Sequence, residues 1–435
     1  MVMQLFDRLK GIFSALLIRG GVMGIQFLVS VLIALVAGPV GAGIYGLYNA
    51  WLAIFTGIVG LGSNTHVLRS VSVMFGRSEG DSIKIYIRSI LKPVIFMSAL
   101  ISMGVVLFGN QIAAEFLGDE TLSYVIITAM LSGIFTVLAR VGSESLKAMG
   151  RLNSALILEW ALLPSAVVLT LVTSYLLVQS INMQLLLILR TLYIFVIICM
   201  LFSVLRIALR GLSTAVTKIP PVSIKKLLPF WGSELSIVGF MNTPLLVLPY
   251  FVSTADIGVF SIAQKLILTV TSALVVLTGI YGPKMARAYA EHNLGALKRL
   301  LLQTQIISFT IYAPLFTLFF FYPELIMRLF GDEFESGAQL LRLMAVGQLV
   351  GAICGLGDFT LHMVHKERWF LFINIFSTAL ALVLCVWLIS TNGVLGCALA
   401  VAYSLAVKQL LGYLAALFVL YGPKSPYAQD PVSLN

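Results

Sequence analysis

The stretch Phe116-Leu117-Gly118-Asp119-Glu120 has a counterpart, Leu329-Phe330-Gly331-Asp332-Glu333, in the other half of the chain. Each closes a short polar gap between long apolar runs. Each is followed by a run that ends near a polar or basic cluster, Ser143-Glu144-Ser145-Leu146-Lys147 after the first and His365-Lys366-Glu367-Arg368 after the second. A second echo keeps the register: Tyr45-Gly46-Leu47-Tyr48 matches Ile257-Gly258-Val259-Phe260. Two matches at nearly the same offset, each at the same place in the hydrophobic pattern, predict a duplication of half the chain. Repeats of that size are a habit of proteins built across bilayers.

The rest of the sequence agrees. Of its 435 residues 60% are hydrophobic and only 11% charged, against about 25% charged in a soluble domain. So few charges cannot solvate the surface of a chain this long. The apolar residues come in runs of about 20, the length a helix needs to cross a bilayer. They are continuous rather than alternating, which excludes a transmembrane β-barrel. The class is all-α and polytopic. The net charge of +10 does not point to nucleic acid, because the basic residues are dealt out to alternate loops. Cys199, Cys354, Cys385 and Cys397 lie in apolar runs and imply no disulfide framework. The apolar stretch 11–37 is too long for a secretory signal and is interrupted by Arg19, so it reads as a retained first span.

About twelve spans are expected. In the first half they are 11–37, 44–67, 90–108, 122–146, 155–178 and 185–205. In the second they are 227–251, 257–281, 300–321, 338–361, 370–389 and 394–420. The linker 206–226, with Pro220-Pro221, joins two six-helix halves, 1–211 and 212–435. Basic residues fill alternate loops: Arg69, Arg77, Lys84 and Arg88, then Lys147 and Arg151, then Lys284, Arg287, Lys298 and Arg299, then Lys366 and Arg368. The opposite loops hold one basic residue, Arg328, and are acidic instead, with Glu115, Asp119, Glu120, Asp256, Glu324, Asp332, Glu333 and Glu335. The positive-inside rule then puts both termini in the cytoplasm. The outer loops, on the order of a dozen residues at most, are of ordinary length for connections, too short to fold as a separate domain.

Several motif matches are dismissed. Gly41-Ala42-Gly43-Ile44-Tyr45-Gly46 spells G-x-G-x-x-G, but it lies between two spans and not in a βαβ unit, so its glycines read as a tight turn. No phosphate-binding loop of the G-x-x-x-x-G-K-[ST] type is present, which excludes an ATPase of its own. His362 and His365 lack the partners of a metal site. Gly347, Gly351 and Gly355 form a small-residue stripe that reads as close helix packing. Pro164, Pro244, Pro249 and Pro314 interrupt spans and read as kinks or hinges.

Charges inside spans carry the functional argument: Arg19, Arg140, Glu144, Glu159, Arg190, Glu234, Lys265, Arg342, Asp358 and Lys408. A charge at a span centre costs roughly 2.5–3.5 kcal/mol on insertion scales. Either such residues pair and lock helices, or they line a wet cavity. Arg19 and Lys265 have no acidic residue nearby in their own spans and are expected to face a cavity that holds an anion. Arg140 also belongs to that candidate set, although Arg140 and Glu144, four residues apart, share a helix face and would neutralise each other. Arg190, Arg342 and Lys408 read as helix-locking. Glu144, Glu159, Glu234 and Asp358 are the candidate coupling carboxylates, since a carboxylate in a dry site takes up a proton more readily than one in water. Structural pairing is an equal alternative for each of them. No catalytic group and no metal ligand is expected.

Ala37-Gly38-Pro39 with Ile44-Tyr45-Gly46-Leu47-Tyr48, the stretch Asp256 to Ala263, and the turn Lys147-Ala148-Met149-Gly150-Arg151 resemble the polysaccharide-transporter family. That family includes the O-antigen (Wzx-type) lipid-linked oligosaccharide flippases of the multidrug/oligosaccharidyl-lipid/polysaccharide (MOP) exporter superfamily. The resemblance implies two six-helix bundles in a V around a central cavity. It implies a flippase of the bacterial inner membrane that moves undecaprenyl-pyrophosphate-linked oligosaccharide to the periplasmic leaflet by alternating access. It further implies a role in O-antigen and lipopolysaccharide biosynthesis, association with the polysaccharide polymerase and chain-length machinery, and coupling to a proton or sodium gradient without a cofactor. The alternative in the same class is a cation-coupled multidrug exporter of the MATE type, against which a cationic cavity would speak. The rival from another class is a membrane O-antigen polymerase or ligase, which would be expected to carry a large periplasmic loop.

Overall fold

The computed structural model describes residues 2–77, 79–151, 154–155, 157, 165, 167–173, 182–210 and 224–421, without the side chains of 2–23, 26, 64–65, 69, 224–227, 229–230, 270, 272–276 and 279. What it describes is nearly all helix. The chain divides into two compact units, Met1–Tyr250 and Phe251–Asn435.

The first unit begins with α1 (Val2–Gly60). At 1.5 Å per residue a straight helix of that length would run about 90 Å, roughly three times the apolar thickness of a bilayer. Gly38 breaks it, with φ 64° and ψ −169°. That left-handed φ suits glycine, and Pro39 starts the second arm at the position where a missing N–H costs nothing. The turn expected of the Gly41 glycines is thus made at Gly38. A side chain at Gly41 would run into Ala37, so Gly41 lets the second arm fold back close to the first.

After α1 come α2 (Ser63–Gly76), α3 (Gly80–Leu117), α4 (Ser123–Ala148), α5 (Met183–Leu209) and α6 (Ile224–Val247). Helix α4 lies at the centre of this unit and packs on α1, α2, α3 and α5, while α6 packs on α1. Trp231 of α6 donates its indole N–H to the carbonyls of Gly57 and Ile58, both at 3.0 Å. The expected second span, 44–67, ends early: the chain turns at Leu61 (φ 48°) and Gly62 (φ 65°), and α2 leaves as a separate helix. Pro249 lies beyond α6, in a 3₁₀ turn Leu248–Tyr250. Pro164 and most of the expected fifth span lie outside the described residues.

The second unit contains α7 (Thr254–Ala290), α8 (Leu294–Phe321), the short α9 (Pro323–Arg328), α10 (Ala338–Cys354), the short α11 (Gly357–Met363) and α12 (Glu367–Tyr421). Helix α12 merges two expected spans across Gly393 (φ 57°, ψ −139°). Helix α10 packs on α8 and α12, its tightest approach marked by glycines. A Cβ on Gly347 would lie 2.7 Å from the backbone of Ala402, and one on Gly355 would lie 2.8 Å from the backbone N of Gln305. The expected tenth span, 338–361, is broken at Gly355, and α11 follows as its own short helix. The tyrosine Tyr312 on α8 donates its hydroxyl to the carbonyl of Ala345 on α10 at 2.8 Å.

The duplicated stretch folds alike in both units. Gly118 ends α3 at φ 67° and leads into a 3₁₀ turn, Glu120–Leu122. Gly331 follows α9 at φ 123° and leads into a 3₁₀ turn, Asp332–Gly337. The second echo is core in both units: Leu47 and Tyr48, like Ile257 and Phe260, are at most 1% exposed. Among the described residues seven helices or helical stretches are long and apolar enough to cross a membrane. The protein is a multi-pass membrane protein of pseudo-repeated helical bundles.

Candidate transport site

In the first unit, the candidate cation Arg140 on α4 reaches the candidate carboxylate Glu234 on α6, Nη1 to Oε1 at 3.6 Å, with side chains 34% and 23% exposed. Glu144, one turn along α4, holds Lys147 at 2.8 Å. The expected neutralisation of Arg140 by Glu144 is therefore not the arrangement that carries Arg140. The charge goes across to another helix, because α4 is packed on by neighbours along its length. Arg19 sits on the first arm of α1, and its side chain lies outside the described residues. Glu159 also lies outside them.

The same unit holds a site that the sequence reading set down as mere helix-locking. Arg190 of α5 places its guanidinium 4.5 Å from the ring centre of Tyr48 and 4.9 Å from that of Tyr45. Its Nη2 donates to Oδ1 of Asn49 at 3.2 Å. Its Nε and Nη1 are buried and meet no acceptor among the described residues. Tyr45, Tyr48 and Asn49 are spaced i, i+3 and i+4, so one face of α1 presents all of them to α5. That spacing was the available signal. An acidic side chain is one partner for such a cation, and an aromatic face is another.

In the second unit, Lys265 on α7 is half-buried and is not a lone charge. Asp358 opens α11, where its Oδ1 accepts the N–H of Phe359 at 2.7 Å. A Cβ on Gly412 of α12 would lie 2.6 Å from that of Asp358, so the two helices touch there. Lys408, one turn away on α12, is 8% exposed. Arg342 on α10 donates Nε to the carbonyl of Phe320 at 2.9 Å and approaches Glu324 at 3.3 Å. It is tied to the end of α8 and the start of α9.

Two of the described candidate carboxylates thus stand against a basic side chain of their own unit, Glu144 against Lys147 and Glu234 against Arg140. The cationic-cavity argument rested on lone charges at Arg19 and Lys265. Lys265 has a partner, and the Arg19 side chain lies outside the described residues. Among the described residues no group of three or more His, Cys, Asp or Glu stands together to hold a metal ion. His362 stacks on Phe370, ring centres 5.4 Å apart. Cys354, Cys385 and Cys397 are buried and free, whereas the free Cys199 is exposed.

Comparison with known proteins corrects the resemblance. The MatE family model matches residues 233–387. No curated protein sequence matches. Among solved structures, the chain is similar to an inward-facing multidrug resistance MATE family transporter of the MOP superfamily, with TM-score 0.68, 15% identity, and 93% of this chain and 94% of that one covered. The outward-facing conformation of such a transporter matches with TM-score 0.64 at 15% identity over 93% of both chains. A MOP superfamily transporter from Pyrococcus furiosus, described by the reversed polarity of its binding pocket, matches equally well: TM-score 0.64, 15% identity, 93% of both chains. These matches point away from the O-antigen flippases. They overturn the lipid-linked oligosaccharide substrate, the place in lipopolysaccharide biosynthesis, and the polymerase and chain-length partners that the flippase resemblance implied. The transporter class holds against the rival enzyme reading. The chain has the fold of the MATE transporters.

Proposed function

We propose that the chain is a cation-coupled exporter of small drug-like molecules. In this reading it spans the bacterial inner membrane with its basic loops and both termini in the cytoplasm, as the positive-inside rule favours. The halves 1–211 and 212–435 alternate access to cargo. The observation that carries the reading is the match of nearly the whole chain to both the inward-facing and the outward-facing form of one transporter type.

Coupling is assigned to Glu234. Its carboxylate lies on α6, within the expected span 227–251, is partly exposed, and stands 3.6 Å from Arg140. A proton or sodium ion that binds Glu234 competes with Arg140 for the same charge. A ligand that binds one state better than another shifts the balance between them, so freeing Arg140 from α6 is the step through which the gradient acts. No cofactor enters the reading.

Glu234→Gln keeps size and hydrogen bonding but cannot hold a cation. In a drug-susceptible bacterial host, the wild-type chain raises the tolerated concentration of a cationic drug severalfold, and a protonophore or sodium ionophore removes the gain. Cells with Glu234→Gln, at equal membrane abundance, behave as empty-vector cells. Full protection by Glu234→Gln contradicts the assignment of coupling to this residue.

A further inference from the structure

At the turn between α7 and α8 the second unit has an open cleft of about 370 Å³. Lys284, Arg287 and Arg299 line it, with Glu291, Gln303 and Leu300. The turn is tightly built: His292 takes φ 55°, and Asn293 caps α8 by accepting the N–H of Ala296 at 2.9 Å. The two helix ends that form the cleft are therefore held in place before anything binds. Glu291 is already taken by Arg287, Nε to Oε1 at 2.6 Å. The Arg287–Glu291 pair leaves Lys284 and Arg299 without a neutralising charge in the lining. Nearby Lys298 points elsewhere, over the ring of Tyr421 at 3.6 Å.

An apolar strip starts at the same place. Leu302, Ile306 and Phe309 of α8 are 55%, 58% and 46% exposed. They follow Arg299 at steps of three, four and three residues, so they continue its helix face into the span. A ligand that matches both features has an anionic head and an acyl chain.

We propose that this cleft is a binding site for an anionic phospholipid, with the phosphodiester between Lys284 and Arg299 and a chain along Leu302, Ile306 and Phe309. Basic pockets between spanning helices bind lipid headgroups in this way. A free phosphate would use the head contacts alone, and a zwitterionic lipid would bring its own cation against Lys284 and Arg299. The site lies outside the transport reading and does not depend on it.

The test uses the full chain in neutral detergent, titrated with phosphatidylglycerol, phosphatidylcholine or inorganic phosphate, with the rise in Tm as readout. Each basic residue near a membrane surface contributes about 1 kcal/mol, a factor of about five in affinity. Phosphatidylglycerol should raise Tm saturably. Arg299→Gln should shift its half-saturating concentration upward about fivefold, and Lys284→Gln/Arg299→Gln about thirtyfold. Lys366→Gln/Arg368→Gln, which removes basic charge from the turn before α12, should leave it within about twofold. The single variant serves where the double one does not fold. The proposal is overturned if the cleft variants bind as the wild type does or if the two double variants lose affinity equally. It is also overturned if phosphate or phosphatidylcholine gives the same shift at the same concentration.

Discussion

At the residue scale, a buried charge is recognisable from sequence by its expected cost, and its partner is not. Arg140 and Glu144 share a helix face in the sequence, yet Arg140 reaches Glu234 on α6. The partner is chosen by which helix packs across, and that is decided by the shapes of whole faces. Arg190 shows the same limit, since its neighbours are the rings of Tyr45 and Tyr48 more than 140 residues earlier in the chain. A cation over an aromatic face contributes roughly 0.5–2 kcal/mol. Tyr48→Phe keeps the ring and should change Tm little. Tyr48→Leu should lower stability by roughly 2–4 kcal/mol, the range for losing a large buried side chain. A double-mutant cycle of Tyr48→Leu with Arg190→Met, read by thermal unfolding in detergent, should return a coupling of about 1–2 kcal/mol. Strict additivity would show that the guanidinium gains nothing from that ring.

At the element scale, the helices were legible because composition and length suffice to mark a span. Their ends were less so. Gly38 and Gly393 turn the chain so tightly that α1 and α12 each run on as a kinked pair. Leu61-Gly62 and Gly355 cut expected spans short because the chain there adopts a left-handed φ, which hydropathy does not register. The glycine stripe of α10 was read for what it does. The two kinds of glycine give opposite predictions. Gly347→Ala sets a methyl 2.7 Å from the Ala402 backbone, and neither helix can yield without parting. It should cost about 1–3 kcal/mol, the usual range for overpacking, and Gly347→Leu should prevent accumulation of folded protein. Gly393→Ala meets nothing within 4 Å and pays only for its φ of 57°, about 1–2 kcal/mol. Melting curves of the variants check this: Gly347→Ala and Gly347→Leu should form a steep series. A Gly347→Leu protein as stable as Gly347→Ala would mean that α10 and α12 are not in close contact.

At the scale of the whole molecule, the duplication carried the architecture. The stretch around Gly118 and its partner around Gly331 each set a positive-φ glycine before a 3₁₀ turn, and each unit buries its own copy of the Tyr45–Tyr48 pattern. A duplicated bundle fixes the class of machine and says little about cargo. The loose motifs pointed to a flippase, whereas the fold is that of the MATE transporters and the MatE family model matches residues 233–387. The charges seemed to decide cargo because they looked unpaired in one dimension. In the structure Glu234 lies 3.6 Å from Arg140 and Glu144 holds Lys147, so in the proposed reading a coupling ion at Glu234 competes with a side chain already in place. The most direct measurement of that account is transport by the purified chain in liposomes, with a proton or sodium gradient imposed and a fluorescent cationic drug as cargo. The account predicts drug movement against the imposed ion flow, abolished when the gradient is collapsed and absent in Glu234→Gln. Folded, correctly inserted protein that moves no drug under either gradient, or moves it equally well with none, would contradict it.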